Sequence, residues 1–320
     1  MEKKSIGRTG LEVTQVCFGT SALGDMPDTY GYSVDEARAR DTIRAIFDSP
    51  VNILDTSRNY GFGRSEERIG SVIRERGGLP DGFVLSNKLD RDMETNRLDG
   101  ARARRSFEES LTALGVDRIQ ILHLHDPEHV ADLDDITRKG GALDELFKIK
   151  EEGLADAVGL AMGRIDMMFS LLRDRDFDVL ISHNRYTLLN RQAGELFDYA
   201  DRNGIATFNA APFAGGVLAK GSAAMPRITY QEVDEASLGP VRRIEDLCAS
   251  QGLSPGAVSL GFSLQDPRIT STIVGASSPA HVAETLQWAS TPIADTTWQD
   301  LAGLPYSTED PEADRQYKPG

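Results

Sequence analysis

Short apolar runs rich in Val, Ile and Leu alternate along the chain with longer stretches whose apolar residues recur every third or fourth position, the alternation of buried strand and amphipathic helix. The clearest unit runs from Val51 to Gly70. Val51, Ile53 and Leu54 form a short strand ending on Asp55, Gly61 and Gly63 break the pattern, and Ser65 offers an N-cap to a helix reaching Arg76. Glu66 and Glu67 stand in its first turn, where the dipole favours acids, and Ile69, Val72 and Ile73 supply its buried face. Upstream, Lys3–Gly7 and Leu11–Thr14 flank the turn Arg8-Thr9-Gly10 as a hairpin, Val13 to Phe18 reads as the first strand of the main sheet, and Val34 to Phe47 as a helix. Downstream, Phe83–Lys88 precedes a helix over Ala101–Leu114, and Arg118–His125 precedes one over Gly141–Glu151. Ala157–Leu160, Val179–Ser182 and Ile205–Phe208 follow as strands, and Ile273-Val274 ends the last. Strand–helix alternation over the whole length predicts a parallel sheet, and about eight units favour closure into a (β/α)8 TIM barrel occupying residues 1–320 as a single domain. Two segments fall outside the count: an extra helix over Ser254–Gln265 with Pro255 in its first turn, and the acidic tail Leu304–Gly320.

Charge narrows the function classes. With 35 basic against 50 acidic residues the net charge is −15, which repels phosphate backbones and anionic lipid, so nucleic acid and membrane surfaces are not expected partners. Cys17 and Cys248 show no framework spacing and read as free core thiols. The start lacks an apolar leader and no segment reaches membrane-spanning length, so the expected location is cytoplasmic.

Three successive strands end on an ionisable residue: Asp55, Lys88 and His125, with Tyr60 in the loop after the first. A strand-end Lys is ordinarily a solvated charge, and a lone His ordinarily structural. Their coincidence at the carboxyl edge of a parallel sheet, where sites are built, favours a convergent site. At these residues the chain resembles the aldo-keto reductases, through D-T-S-R-N-Y-G-F-G-R-S-E-E-R-I-G at 55 to 70, N-K at 87 to 88, L-H-D-P at 124 to 127 and A-P-F-A-G-G-V-L at 211 to 218. H-D-P, R-Y-T-L-L-N and N-A-A-P resemble most the branch containing bacterial sugar dehydrogenases, the D-threo-aldose type. A phenol titrates near ~10, so Tyr60 needs a nearby cation to shuttle protons. Lys88 is the candidate, with Asp55 holding it charged and His125 donating to the substrate oxygen. These match the family's Asp, Tyr, Lys and His roles residue for residue.

No G-x-G-x-x-G opens a βαβ unit, so a Rossmann site is not indicated. The resemblance instead implies a nicotinamide nucleotide across the barrel mouth. Gly19 and Thr20 would border it, its pyrophosphate would lie under Ala214, Gly215, Gly216 and Leu218, and its adenosine near Gly275, Ser277, Ser278, His281, Glu284 and Thr285. The family's usual Ser-Asn carboxamide pair is replaced by Ala161-Met162, its glutamine by His183 and its stacking tyrosine by Ala210, leaving His183 and Asn209 as nicotinamide contacts. Where NADP-using members carry a lysine and an arginine this chain has Gly275 and His281, while Glu284 can accept from a free ribose hydroxyl, so NAD is favoured over NADP.

The branch implies oxidation of an aldose or similar hydroxylated small molecule; the wider family implies NADPH-dependent reduction of small aldehydes or ketones. Tyr30, Arg58, Phe62 and Trp298 are pocket candidates by loop position. A reading of another class is a metal-dependent hydrolase using His123, His125 and His183, with His129 nearby. It is weaker because the first strand, ending Phe18-Gly19-Thr20, offers no ligand and because Asp55, Tyr60 and Lys88 stay unexplained; no metal is expected. A nucleotide-binding barrel without turnover is the third reading, against which the intact Tyr60 and Lys88 argue. The oligomeric state is left open.

Overall fold

A computed structural model describes residues 1–315. Lys3–Ser5 (β1) and Glu12–Thr14 (β2) form an antiparallel hairpin. The closed parallel barrel is built from Val16–Gly19 (β3), Ile53–Asp55 (β4), Val84–Leu89 (β5), Ile121–His125 (β6), Ala157–Ala161 (β7), Val179–His183 (β8) and Ala206–Ala210 (β9). Arg227–Ile228 (β10) and Gln231–Glu232 (β11) then make a small ribbon, and Ile269–Gly275 (β12) closes the ring between β9 and β3. The (β/α)8 architecture predicted from the alternation is the one observed.

The hairpin and the first barrel strand are separate, whereas the sequence pattern ran them together from Val13 to Phe18. The chain turns at Gln15, and β2 caps the barrel floor: Thr14 N–H donates to Asn52 Oδ1 at 2.8 Å and Ser271 Oγ donates to Thr14 O at 2.8 Å. Ile6 and Val13 are fully buried there.

Ser65 is not an N-cap. The helix spans Arg64–Arg76 with Gly63 in the left-handed region at its cap, and Ser65, inside the first turn, donates to Thr20 at 3.0 Å, tying the helix to the end of β3. Ser254 does cap a helix, its Oγ accepting from Ala257 N–H at 3.1 Å, and Pro255 stands in the first turn as expected. The helix Pro255–Leu264 it starts is not the extra one, however. It packs directly on β12 and buries Leu260 in the barrel core. The supernumerary helices are Gly239–Ser250 and Asp295–Ala302, which share a second apolar cluster containing Val241, Ile244 and Leu301. Pro255–Leu264 is apolar nearly all round, as a helix packed between barrel and outer helices is, whereas Gly239–Ser250 and Asp295–Ala302 are apolar on one side only.

The tail crosses the barrel mouth. Arg191 N–H donates to Ser307 O at 2.8 Å, Asn190 Nδ2 to Glu309 O at 2.8 Å and Gln231 Nε2 to Pro311 O at 3.0 Å. The tail expectation for residues 316–320 lies outside the described residues.

Candidate active site

Inward-facing residues of adjacent strands make the site, because side chains two apart on a strand share a face. Asp55 ends β4. Its register partner Ser86 on β5 donates to Asp55 Oδ1 at 2.8 Å, and Lys88, two residues on, places Nζ 2.6 Å from Asp55 Oδ2 and 2.7 Å from Thr56 O. Asp55 and Lys88 are both almost fully buried, so their charges are mutually compensated.

Tyr60 is held by backbone contact. Its N–H donates to Ser57 O at 3.1 Å, its carbonyl accepts from Ser65 N–H at 3.2 Å, and a Cβ on Gly24 would stand 2.6 Å from the Tyr60 carbonyl. Lys88 Nζ sits 4.8 Å from the Tyr60 ring centroid, and the His125 ring stands edge-on at 6.0 Å and 85°. The expected lowering of the phenol by Lys88 is not what the surroundings produce. Burial pushes the Tyr60 hydroxyl well above its ordinary range, and Asp55 pushes the same way, with Tyr30, Asp126 and Asp90. Lys88 is neutralised by Asp55, so the phenol is kept protonated.

His125 ends β6. Its Nδ1 lies 2.5 Å from Asp90 Oδ1 and 3.2 Å from Ser57 Oγ, which leaves Nε2 for the cavity. Burial works against its charged form, but Asp126 and Asp90 outweigh burial and raise its pKa. Asp90 is likewise buried, yet His125, Ser57 Oγ at 2.7 Å and the Asn59 N–H at 3.0 Å hold its carboxyl below the usual range. The sequence reading missed Asp90. The signal was present: the two-residue period that puts Ser86 and Lys88 inside the barrel continues to Asp90.

His123 lies one layer deeper, fully buried, its Nε2 3.1 Å from Ser86 Oγ. Burial, then Lys88 and His125, drive its pKa well down. Among the described residues no group of three His, Cys, Asp or Glu is arranged to hold a metal ion. His183, at the end of β8, instead pairs Nδ1 with Glu312 Oε2 of the tail at 2.9 Å.

These residues line one end of a cavity of about 800 Å³ that extends past Gly19 and Thr20 to His183, Gly215, Gly216, Gly275, His281, Glu284 and Thr285. Asp55, Tyr60, Lys88 and His125 all open onto it. Five of the expected cofactor residues do not line it. Asn209 points out through the barrel wall, donating to Tyr186 O at 2.9 Å and Ser263 Oγ at 2.8 Å. Ala214 and Leu218 are buried in the second apolar cluster. Ser277 is buried with Oγ 3.1 Å from His281 Nδ1, and Ser278 caps the helix Pro279–Ala289 through His281 N–H. Of the loop residues, Tyr30 lines the cavity. Arg58 is instead paired with Glu66 at 3.1 Å, Phe62 is exposed on the surface, and Trp298 packs over Gly261.

The aldo/keto reductase family model matches residues 15–304 of the chain. The chain belongs to that family. It is 31% identical to the L-galactose dehydrogenase of Arabidopsis thaliana over 89% of this chain and 86% of that protein. It is 29% identical to the D-threo-aldose 1-dehydrogenase of a Pseudomonas species over 92% and 94%, and 26% identical to the pyridoxal 4-dehydrogenase of Microbacterium luteolum over 94% and 96%. In fold it matches an aldo-keto reductase of Bacillus halodurans in its holo form, with a TM-score of 0.77 and 20% identity over 99% of this chain and 100% of that one. As an aldo/keto reductase it is an oxidoreductase working with a nicotinamide nucleotide on small carbonyl or alcohol substrates.

The cavity residues fit such a cofactor. Gly215 has φ of 77° and its missing Cβ would meet Tyr230 N at 2.7 Å, so the loop lies close to the β10–β11 ribbon while its backbone faces the cavity. Gly275 offers open backbone at the other wall, with nothing within 4 Å of a Cβ added there. Lys220, which lines the cavity between them, has its Nζ 4.7 Å from the Tyr32 ring centroid. Ala161, Ile181 and Ala210 supply small or apolar flooring. Among the described residues no helix is long and apolar enough to cross a membrane.

Proposed function

We propose that this aldo/keto reductase interconverts a secondary alcohol or hemiacetal and its carbonyl on a hydroxylated, sugar-like substrate, with Tyr60 moving the proton. The observation that carries it is the convergence of Tyr60, His125 and the Asp55–Lys88 pair on one end of the cavity. The nicotinamide, when bound, supplies or takes the hydride. Nε2 of His125 fixes the reacting oxygen, and Tyr60 gives its proton to that oxygen in reduction or takes one from it in oxidation. Lys88, anchored by Asp55 and Thr56 O, sets the position of the Tyr60 ring.

His183, fixed by Glu312, is the proposed contact to the carboxamide in place of the Ser-Asn pair. Gly19, Thr20, Gly215, Gly216, Gly275, Glu284 and Thr285 are the proposed backbone and side-chain contacts to the rest of the nucleotide. NAD is favoured over NADP: burial pushes His281 down towards its neutral form, which weakens it as a phosphate ligand, and Glu284 faces the cavity. The buried free thiols Cys17 and Cys248 support a reducing compartment, the cytoplasm. Residues 1–320 are read as one functional domain.

Tyr60→Phe is expected to lower kcat by roughly 10²- to 10⁴-fold while nucleotide binding persists by fluorescence titration. Near-full activity of this variant at saturating substrate would overturn the assignment. Paired titrations with NAD(H) and NADP(H) at matched ionic strength test the cofactor; clearly tighter NADP(H) binding would reverse the choice and point to Lys220 and Arg38, which act electrostatically on His281.

A further inference from the structure

Asp126 directly follows His125 and acts on the proton relay described above only through its charge, yet its backbone is held in a costly conformation. Its φ of 42° and ψ of 53° are left-handed, which L-residues avoid, and the Pro127 that follows steers the preceding residue towards extended backbone. Strain of this kind persists only where the surroundings enforce it. They do so at both ends: Asp126 N–H donates to Ala161 O at 2.9 Å, on the adjacent strand β7, and Asp126 O accepts from His129 N–H at 3.0 Å. The result is a short, directed side chain on the cavity wall.

The carboxylate keeps an opening to the cavity. Its side chain is 12% exposed, and its ionic partner His125 Nε2 lies 3.6 Å away, beyond hydrogen-bond range. The groups around it are His125, Tyr60, His129 and Glu128, the last another acid whose protonated form is favoured by burial and by Asp126 itself. A carboxylate in such a place is set to accept a hydrogen bond from a ligand in the cavity.

Its distance from His125 says which donor. An oxygen bound to Nε2 sits about 2.8 Å from it, and an oxygen on the next carbon of the same molecule can lie within hydrogen-bond distance of the first. With Asp126 Oδ2 only 3.6 Å from Nε2, that second oxygen is within reach of the carboxylate. We propose that Asp126 is a specificity-determining residue that accepts a hydrogen bond from a hydroxyl on the carbon adjacent to the reacting carbon, so that the site selects α-hydroxylated substrates. The proposal rests on the oxidoreductase reading of the same site. It names a part of the substrate that Tyr60 and His125 do not sense, because both address the reacting oxygen.

The test uses matched pairs differing only at that hydroxyl: glyceraldehyde against 3-hydroxypropanal in reduction, and ribose and arabinose against 2-deoxyribose in oxidation. Wild-type protein is expected to favour the α-hydroxylated member in kcat/KM by roughly tenfold or more, the scale of one hydrogen bond to a charged group. Asp126→Asn keeps the size and suits the left-handed backbone, so the fold is retained; its weaker acceptor is expected to reduce the ratio, and Asp126→Ala to bring it close to one. A wild-type protein without preference overturns the proposal. So does an Asp126→Ala variant that slows both members of a pair equally and leaves their ratio unchanged, which would confine Asp126 to its electrostatic effect on His125. Wild-type protein inert towards every pair in both directions would remove the oxidoreductase reading itself, and this proposal with it.

Discussion

Asp90 never reaches the cavity, yet it governs the imidazole that does. With Asp126 it raises the pKa of His125 against the opposing effect of burial. A histidine raised in the folded state stabilises it fully below the unfolded value of about 6.5, and that contribution is lost as pH rises through the folded pKa. Asp90→Asn removes one of the two acids, so the His125 titration, followed by NMR or by the pH dependence of kcat/KM, is expected to move to lower pH. Tyr60 has the opposite character. Its hydroxyl is raised by burial and surrounding acids, so it carries its proton at neutral pH and is a base only when deprotonated. Oxidation rates are therefore expected to climb with pH above neutrality while reduction rates do not. Initial rates in both directions across one pH series check this.

At the scale of elements, the loop carrying Tyr60 is placed by contact between two backbones rather than by side chains. A Cβ on Gly61 would stand 1.9 Å from Gly24 O, and Gly61 itself has φ of +63°. Gly61→Ala therefore has both a steric and a conformational cost, expected to be about 1–3 kcal/mol in stability, and it should displace Tyr60. Thermal unfolding and kcat should fall together. Ser65, which joins the following helix to Thr20 at the end of β3, supports the same loop from the other side. Ser65→Ala is expected to cost about 1 kcal/mol with a smaller loss of kcat, measurable by denaturant titration beside initial rates.

At the scale of the whole molecule, the tail is fastened by charge over the mouth of the barrel. Arg185, almost fully buried, donates to Glu312 at 2.8 Å and to Asp310 at 2.6 Å, and His183 adds its contact to Glu312. Burial disfavours a charged Glu312, but His183, Arg185 and Arg315 outweigh burial and hold its carboxyl far below the usual range. A depressed carboxyl contributes stability above its unfolded value of about 4.3 and loses it as pH falls through the folded value. The tail is thus expected to stay closed at neutral pH and to loosen only in strong acid, seen as faster hydrogen exchange over residues 307–315. Glu312→Gln should loosen it at neutral pH, raising KM more than it lowers kcat, because the tail borders the cavity without touching the proton relay.

The amino-acid sequence by itself determined the barrel and the three ionisable residues at its strand ends, with Tyr60 in the loop after the first, because strand periodicity and the position of a residue at a strand terminus are local properties. Asp55, Lys88 and His125 are legible for that reason, and so in principle was Asp90, on the same two-residue period. The tertiary structure alone decided which way side chains of the later loops face. Asn209, Ser277, Leu218 and Ala214 lie in segments that border the cavity, yet Ser263, His281 and a second apolar cluster draw their side chains elsewhere. It also decided which helix is supernumerary, since that depends on whether β12 lies beneath the helix, which is a contact between segments distant in the chain. The charge of Tyr60 belonged to it as well: a phenol's pKa depends on how deeply it is buried and on whether its neighbouring lysine is already paired, and both are set by contacts between residues far apart in the chain.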